Sequence, residues 1–312
     1  MKKITFEDLK LFLGDGSIVK GKLDFSFTNV KTSENIDHES LDWVNPIKSN
    51  KLEYIKNSKA PIILCELSLH EEIQEIDNKC LIFVANPKLT FIRIVEKFFS
   101  NRPLPGIHET AIIHQEAEIS PLCHIGPGNY IGKCKIGKGS VIYGNCYIYD
   151  NTIIGENVTV HAGTVIGADG FGYQRNEKGE FERFPHIGGV IIMNNVDIGS
   201  NTSIDRGALG NTIIEEGAKI DNLVHIAHNV RIGRHSAVIA NAMIGGSTVI
   251  GDYTWIAPSV SIRDQLTIGN KVTVGMGAVV TKNIPDGETW TGAPAKPLDE
   301  FIRLQKILKT LE

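Results

Sequence analysis

The sequence predicts a mainly β protein: a parallel β-helix of six-residue repeats that follows a small N-terminal α/β domain and ends in a short helix. Aliphatic residues recur at every sixth position through Ile214, Ile220, Ile226, Ile232, Val238, Ile244, Ile250, Ile256, Ile262, Ile268, Val274 and Val280. Four residues after each of the first eleven stands a small, β-branched or aliphatic residue, from Ala218 to Ala278, which marks a second inward position in every hexad. A period of six fits neither a 3.6-residue helix nor a simple alternating strand. Three hexads instead close one triangular coil of 18 residues, and stacked coils share a continuous apolar core. The 31 glycines, many directly after an isoleucine, supply the turns.

Residues 1–104 lack the comb. LDWVNPIKSNKLEYIKNSKAPIILCEL has the pattern of strand, helix and strand, and NPKLTFIRIVEKFF has apolar residues at helical spacing after a proline-containing start, so this part is expected to be a separate α/β domain. The β-helix is expected over 105–285. Its comb starts at Ile107, is one residue short between Ile131 and Ile136, and runs on to Ile166. It breaks twice: between Ile166 and Ile192, across GADGFGYQRNEKGEFERFPHIGG with Phe171 and Tyr173, and between Ile204 and Ile214, across DRGALGNT with Arg206. Loops thrown out from a rigid solenoid are where binding is expected. Residues 286–312 are expected to form a turn-rich exit and an amphipathic helix, with Leu298, Phe301, Ile302, Leu304, Ile307, Leu308 and Leu311 at mainly helical spacing, which would pack on the protein's own assembly or on a partner.

Composition excludes several classes. The formal charge of −4, with no basic cluster, argues against nucleic acid as a partner. Five scattered cysteines form no CxxC pair, which excludes a disulfide framework and a zinc knuckle. No apolar run reaches the roughly 18 residues of a membrane span, and Glu7, Asp8 and Lys10 interrupt any signal-like stretch, so a cytoplasmic location is expected.

The chemistry is expected on one outward column. In each hexad the residue two after the inward aliphatic points out, which places His228, Gly246 and Asp264 one above another at intervals of 18 residues, with coils about 4.8 Å apart. A histidine there can take a proton from an attacking amine. A glycine directly above lets its backbone N–H approach a developing oxyanion. The pair suits acyl transfer. Asp221, Asn222, His225 and Asn229 give the same coil an unusual polar density. No third histidine joins His225 and His228, so no metal is expected.

GADGFGY, IDRGAL, DNLVHIAHNVRIG and IGGSTVIG, with SLDWVNPIK and FVANPKLTF in the first domain, resemble the signatures of the UDP-3-O-acylglucosamine N-acyltransferase family over nearly the whole chain. The resemblance implies a left-handed β-helix, a homotrimer with clefts between subunits, and a nucleotide-binding N-terminal domain. His228 would be the general base, Gly246 the oxyanion donor and Asp221 a base-orienting carboxylate. It also implies Trp43, beside Asn45, as the stacking platform for the base of the nucleotide.

The chain departs from that pattern in several places. Gln265 stands where a second histidine is usual, His225 replaces a residue that is often glutamine, and Trp43 replaces a phenylalanine. The exit GMGAVVTKNIPDGETWTGAPAKPL resembles that of coenzyme A-dependent sugar N-acyltransferases. The preferred expectation is therefore transfer from acyl-CoA to a nucleotide-linked amino sugar of surface polysaccharide synthesis. Gln265 would assist the oxyanion, Phe171, Tyr173, Arg206 and His225 would line the substrate site, and no tightly bound cofactor would be needed. The alternatives are the lipid A enzyme with an acyl carrier protein donor, and a non-catalytic trimeric scaffold.

Overall fold

The computed structural model describes residues 3–73 and 78–310. It divides into two compact units, Met1–Arg102 and Pro103–Glu312.

In the first unit, strands Asn29–Val30, Ser40–Trp43, Ile62–Glu66 and Cys80–Val84 run parallel side by side, and Ile18–Gly21 closes the sheet antiparallel to Cys80–Val84. Helices Lys51–Asn57 and Pro87–Phe98 match the expected strand–helix–strand and proline-led helix. Asn86 starts the second helix by accepting the Leu89 N–H at 3.0 Å, and Pro87 lies where no N–H is needed. Leu41, Ile62, Leu64, Ile82 and Ile94 are fully buried between that helix and the sheet.

The second unit is the β-helix. Its short strands stack in parallel into three sheets of eight, eleven and nine strands among the described residues, a terminal antiparallel pair included. The chain visits the sheets in strict rotation: Lys219–Ile220 on one, His225–Ile226 on the next, Arg231–Ile232 on the third. Both inward positions of each hexad meet in a single apolar column, in which Ile226, Ile232, Val238, Ile244, Ala242 and Val260 are at most 1 % exposed. In several hexads with a polar second inward residue the hydroxyl bonds a carbonyl of the next coil: Ser236 Oγ donates to Gly251 O at 2.7 Å and Thr254 Oγ1 to Gly269 O at 2.8 Å, whereas Thr152 Oγ1 has no partner among the described residues. The corners need left-handed backbone, and asparagine fills many of them, among them Asn201, Asn229 and Asn241.

The exit segment belongs to this unit rather than standing apart. Thr289–Thr291 adds to the stack beside Thr273–Val274, and Lys296–Pro297 folds back on it. Helix Leu298–Lys309 buries none of its residues, and Leu298, Ile302, Ile307 and Leu308 are exposed. All five cysteines are reduced and buried.

Candidate active site

Both breaks in the comb leave the solenoid at one edge. The first follows strand Val165–Ala168 and the second follows Ser203–Asp205; these two strands and His225–Ile226 are consecutive neighbours in one sheet. The corner after His225–Ile226 carries His228, so the two insertions project directly beneath it. The first insertion is a β-hairpin, Tyr173–Arg175 against Phe181–Arg183. It is stapled down by Asp169: Arg183 Nη2 lies 2.7 Å from Asp169 Oδ2, and Arg206 Nε lies 3.6 Å from Asp169 Oδ1.

His228 and Gly246 stack as the spacing requires. A Cβ built on Gly246 would lie 2.8 Å from His228 Cε1 and Nε2, so the imidazole leans over the next coil into room that only glycine leaves. The Gly246 N–H donates no hydrogen bond among the described residues, whereas its carbonyl accepts the Gln265 N–H at 2.8 Å. A free N–H next to a histidine Nε2 is the pair that acyl transfer requires.

The imidazole is less exposed than its column position implies. Gly170 lies against it, since a Cβ there would fall 2.8 Å from His228 Cδ2, and the His186 ring meets it edge-on at 5.3 Å between centroids. This partial burial pushes the His228 pKa below its ordinary value, His186 lowers it further, and Asp264 opposes both. His228 is consequently neutral at neutral pH.

Asn229 fixes the ring. Its Oδ1 accepts the Ala208 N–H at 2.8 Å, which leaves its amide nitrogen to face His228 Nδ1 at 3.0 Å. In this resting arrangement the Asn229 N–H donates to Nδ1, and the ring proton is held on Nε2, beside Gly246. A free Nε2 belongs to the other tautomer, in which Nδ1 carries the proton and Asn229 would have to face it with its amide oxygen.

Several expected site residues fall elsewhere. Asp221 follows the strand of the preceding sheet and lies at a different corner, where its carboxylate accepts the N–H of Asn222 at 2.7 Å and of Ala240 at 3.1 Å. It does not orient His228; within this chain that contact is made by Asn229. Arg206 does not line the site with a free guanidinium, as the sequence had suggested. Its side chain is turned inward, with Nε donating to Gly167 O at 2.6 Å and Nη2 to Asp150 O at 3.2 Å. Gln265 occupies a left-handed corner and donates from Nε2 to Asp264 Oδ2 at 3.0 Å, holding that carboxylate two coils above His228. His225 is exposed, with Nε2 at 3.7 Å from Asp205 Oδ2.

Phe171 and Tyr173 project from the hairpin, 85 % and 44 % exposed, with ring centroids 4.9 Å apart. Trp43 ends the Ser40–Trp43 strand in the first unit, half-buried with its ring 6.1 Å from that of Phe91, and Asn45 accepts the Ile47 N–H at 3.0 Å to form the turn that follows.

Two groups of the cluster were not singled out from the sequence: His186 and Asp205. Burial raises the Asp205 pKa to about 6, against the opposing influence of His225 and His186. A signal for both was present. From Ile166 to Ile204 and from Ile204 to Ile226 is three hexads each, one full coil, so counting hexads rather than residues places both insertions below His228. Among the described residues no group of three or more His, Cys, Asp or Glu is placed to hold a metal ion, and no helix is long and apolar enough to cross a membrane.

The fold and this edge define a hexapeptide-repeat transferase. The family of bacterial transferase hexapeptide repeats matches residues 133–168 and 247–282. The β-helix resembles LpxA from Acinetobacter baumannii, with a TM-score of 0.55 and 26% identity over 64% of this chain and 77% of that one. It also resembles LpxA, a UDP-N-acetylglucosamine acyltransferase, from Bacteroides fragilis, with a TM-score of 0.55 and 29% identity over 62% and 73%. The helix is thus of the left-handed kind.

More particularly, the chain belongs to the UDP-3-O-acylglucosamine N-acyltransferase family. It is 35% identical to the member from Coxiella burnetii (strain RSA 493 / Nine Mile phase I) over 300 residues, 88% of this chain and 85% of that one. The member from Caulobacter sp. (strain K31) is 47% identical over 145 residues, and there the match spans 42% of the relative's length.

Proposed function

We propose that the chain is an N-acyltransferase that moves an acyl group from a thioester to the amine of UDP-3-O-acylglucosamine, the acceptor of lipid A synthesis. The family membership supports this acceptor over the surface-polysaccharide sugar first preferred from the sequence, and nothing in the comparisons supports coenzyme A as the donor; an acyl carrier protein thioester is the donor proposed here.

The reading rests chiefly on one observation: the His228 imidazole lies against Gly246, whose N–H has no partner among the described residues, on the edge where both insertions emerge. His228, once its Nε2 is unprotonated, takes the proton from the attacking nitrogen, and the Gly246 N–H receives the oxyanion as the tetrahedral intermediate forms. The thiolate then leaves as the amide carbonyl re-forms. Phe171 and Tyr173 offer an apolar surface beside this centre, and Trp43 with Asn45 provides a platform for the uracil. A homotrimer is the proposed assembly, since the long flat sheets of a triangular solenoid close a three-fold ring with the edges in the clefts.

The test is thiol release from acyl carrier protein or coenzyme A thioesters in the presence of UDP-3-O-acylglucosamine, with product mass as confirmation. Amide formation is expected with the carrier protein donor and is expected to fall about 10²- to 10⁴-fold in His228→Ala. Thioester consumption that does not depend on the amine, or a His228→Ala variant that keeps more than about a tenth of the turnover, overturns the reading.

A further inference from the structure

The buried Nε2 of His186 has no hydrogen-bond partner among the described residues, although the residue is only 6 % exposed. Its other nitrogen is accounted for, because Nδ1 lies 2.9 Å from the carbonyl of Phe184 and can only donate to it. The Nε2 lone pair is therefore bare in a place where water does not reach, which is costly and rare. The surroundings are built to hold the ring. A Cβ on Gly172 would fall 2.8 Å from His186 Cε1, and one on Gly170 would fall 3.0 Å from His186 Nε2 and 2.8 Å from His228 Cδ2. Two glycines flanking Phe171 thus let the hairpin base close over both imidazoles, which meet edge to face at an interplanar angle of 72°.

We propose that His186 is a positioning residue for His228: it holds the base imidazole over Gly246 from the hairpin side. The inference rests on the reading of His228 as the base and adds a residue that the solenoid itself does not supply.

The charged groups around the pair are Asp264 above His228, Asp205 with His225 on the neighbouring strands, and Asp169 bridged to Arg183 and Arg206 at the base of the hairpin. Burial against the hairpin disfavours a charged His228, and Asp264, two coils above, favours it. A phenyl ring in place of His186 keeps the edge-on cover of the His228 imidazole, and truncation to alanine uncovers it.

The experiment compares His186→Phe, His186→Ala and His228→Ala in the full chain, by the pH profile of kcat and by the NMR titration of His228 in histidine-labelled protein. In His186→Phe, which keeps a ring against His228, kcat, KM and the His228 titration are expected to change little. In His186→Ala kcat is expected to fall about tenfold or more, as the imidazole loses the contact that keeps it over Gly246, and the His228 titration and the acid limb of the kcat profile are expected to move to higher pH as the ring gains solvent. A His228 titration that is unchanged in His186→Ala, while that variant stays folded by its thermal midpoint, overturns the proposal. The titration does not depend on activity, so it remains decisive even if His228→Ala proves active and the reading of the base fails.

Discussion

Gly246→Ala isolates the geometry of His228, the proposed base, from the stability of the fold. The added methyl would lie 2.8 Å from both Cε1 and Nε2 of His228, where carbon contacts settle at about 3.5–4.0 Å, so the imidazole must retreat by about 0.7–1.2 Å. The position is half-exposed on an outward column, its backbone is not left-handed, and the atoms met belong to a side chain, so the ring swings away rather than the coil unwinding. A misplacement of about 1 Å at a reacting group costs about 10² in rate, so kcat should fall by that factor while the thermal midpoint holds. Steady-state thiol release and a calorimetric scan read the two quantities.

Gly251→Ala is the control, because its Cβ would fall 2.6 Å from the backbone carbon of Gly269 and 2.7 Å from Asn270 N. Backbone cannot swing aside, so that variant should lose about 1–3 kcal/mol of stability and keep its chemistry. A Gly246→Ala enzyme within about twofold of wild-type kcat would mean that the imidazole is not held where the reaction needs it.

Asn229→Asp keeps an acceptor for Ala208 N–H but turns the partner of His228 Nδ1 from donor to acceptor, which favours the tautomer with a free Nε2; the His228 titration should move to higher pH, and an unchanged titration would refute the assignment of the resting tautomer. Asp205, with its pKa raised to about 6, keeps in the native state a proton that the unfolded chain has already lost, so stability falls as pH rises from the ordinary carboxylate range through about 6. Asp205→Asn should remove that decline, and thermal scans at about pH 5 and about pH 7.5 test it through the narrowing of the gap between the two midpoints. Ile244→Ala opens the fully buried column and should cost about 2–5 kcal/mol in denaturant unfolding, and a smaller loss would show that neighbouring coils collapse into the space. Trp43→Ala should raise the KM for the nucleotide sugar, since stacking on a base contributes about 1–3 kcal/mol, whereas a fall in thermal midpoint alone would assign the indole to packing on Phe91.

The repeat and its register were legible in the residues because the period of six is imposed directly by the geometry of the coil. Every inward position from Ile214 to Val280 is buried, and the column of His228, Gly246 and Asp264 follows from counting alone. The strand–helix–strand of the first domain was legible for the same local reason, with Asn86 and Pro87 marking a helix start that the structure realises.

What the residues could not fix was everything decided by where the insertions fold. Asp221 matched a base-orienting role by motif and lies at another corner, Arg206 proved to be a hairpin staple, and Asn229, adjacent in sequence and read only as polar background, proved to be the group that holds the imidazole. His186 stands 42 positions before His228 in a segment with no period, and only the hairpin's return over Gly170 and Gly172 brings the two rings together. A solenoid's contacts are nearest-neighbour and repeat with the sequence, so the sequence determines them. A loop that leaves the repeat is placed by the ion pairs and close approaches it happens to satisfy, and those exist only in three dimensions.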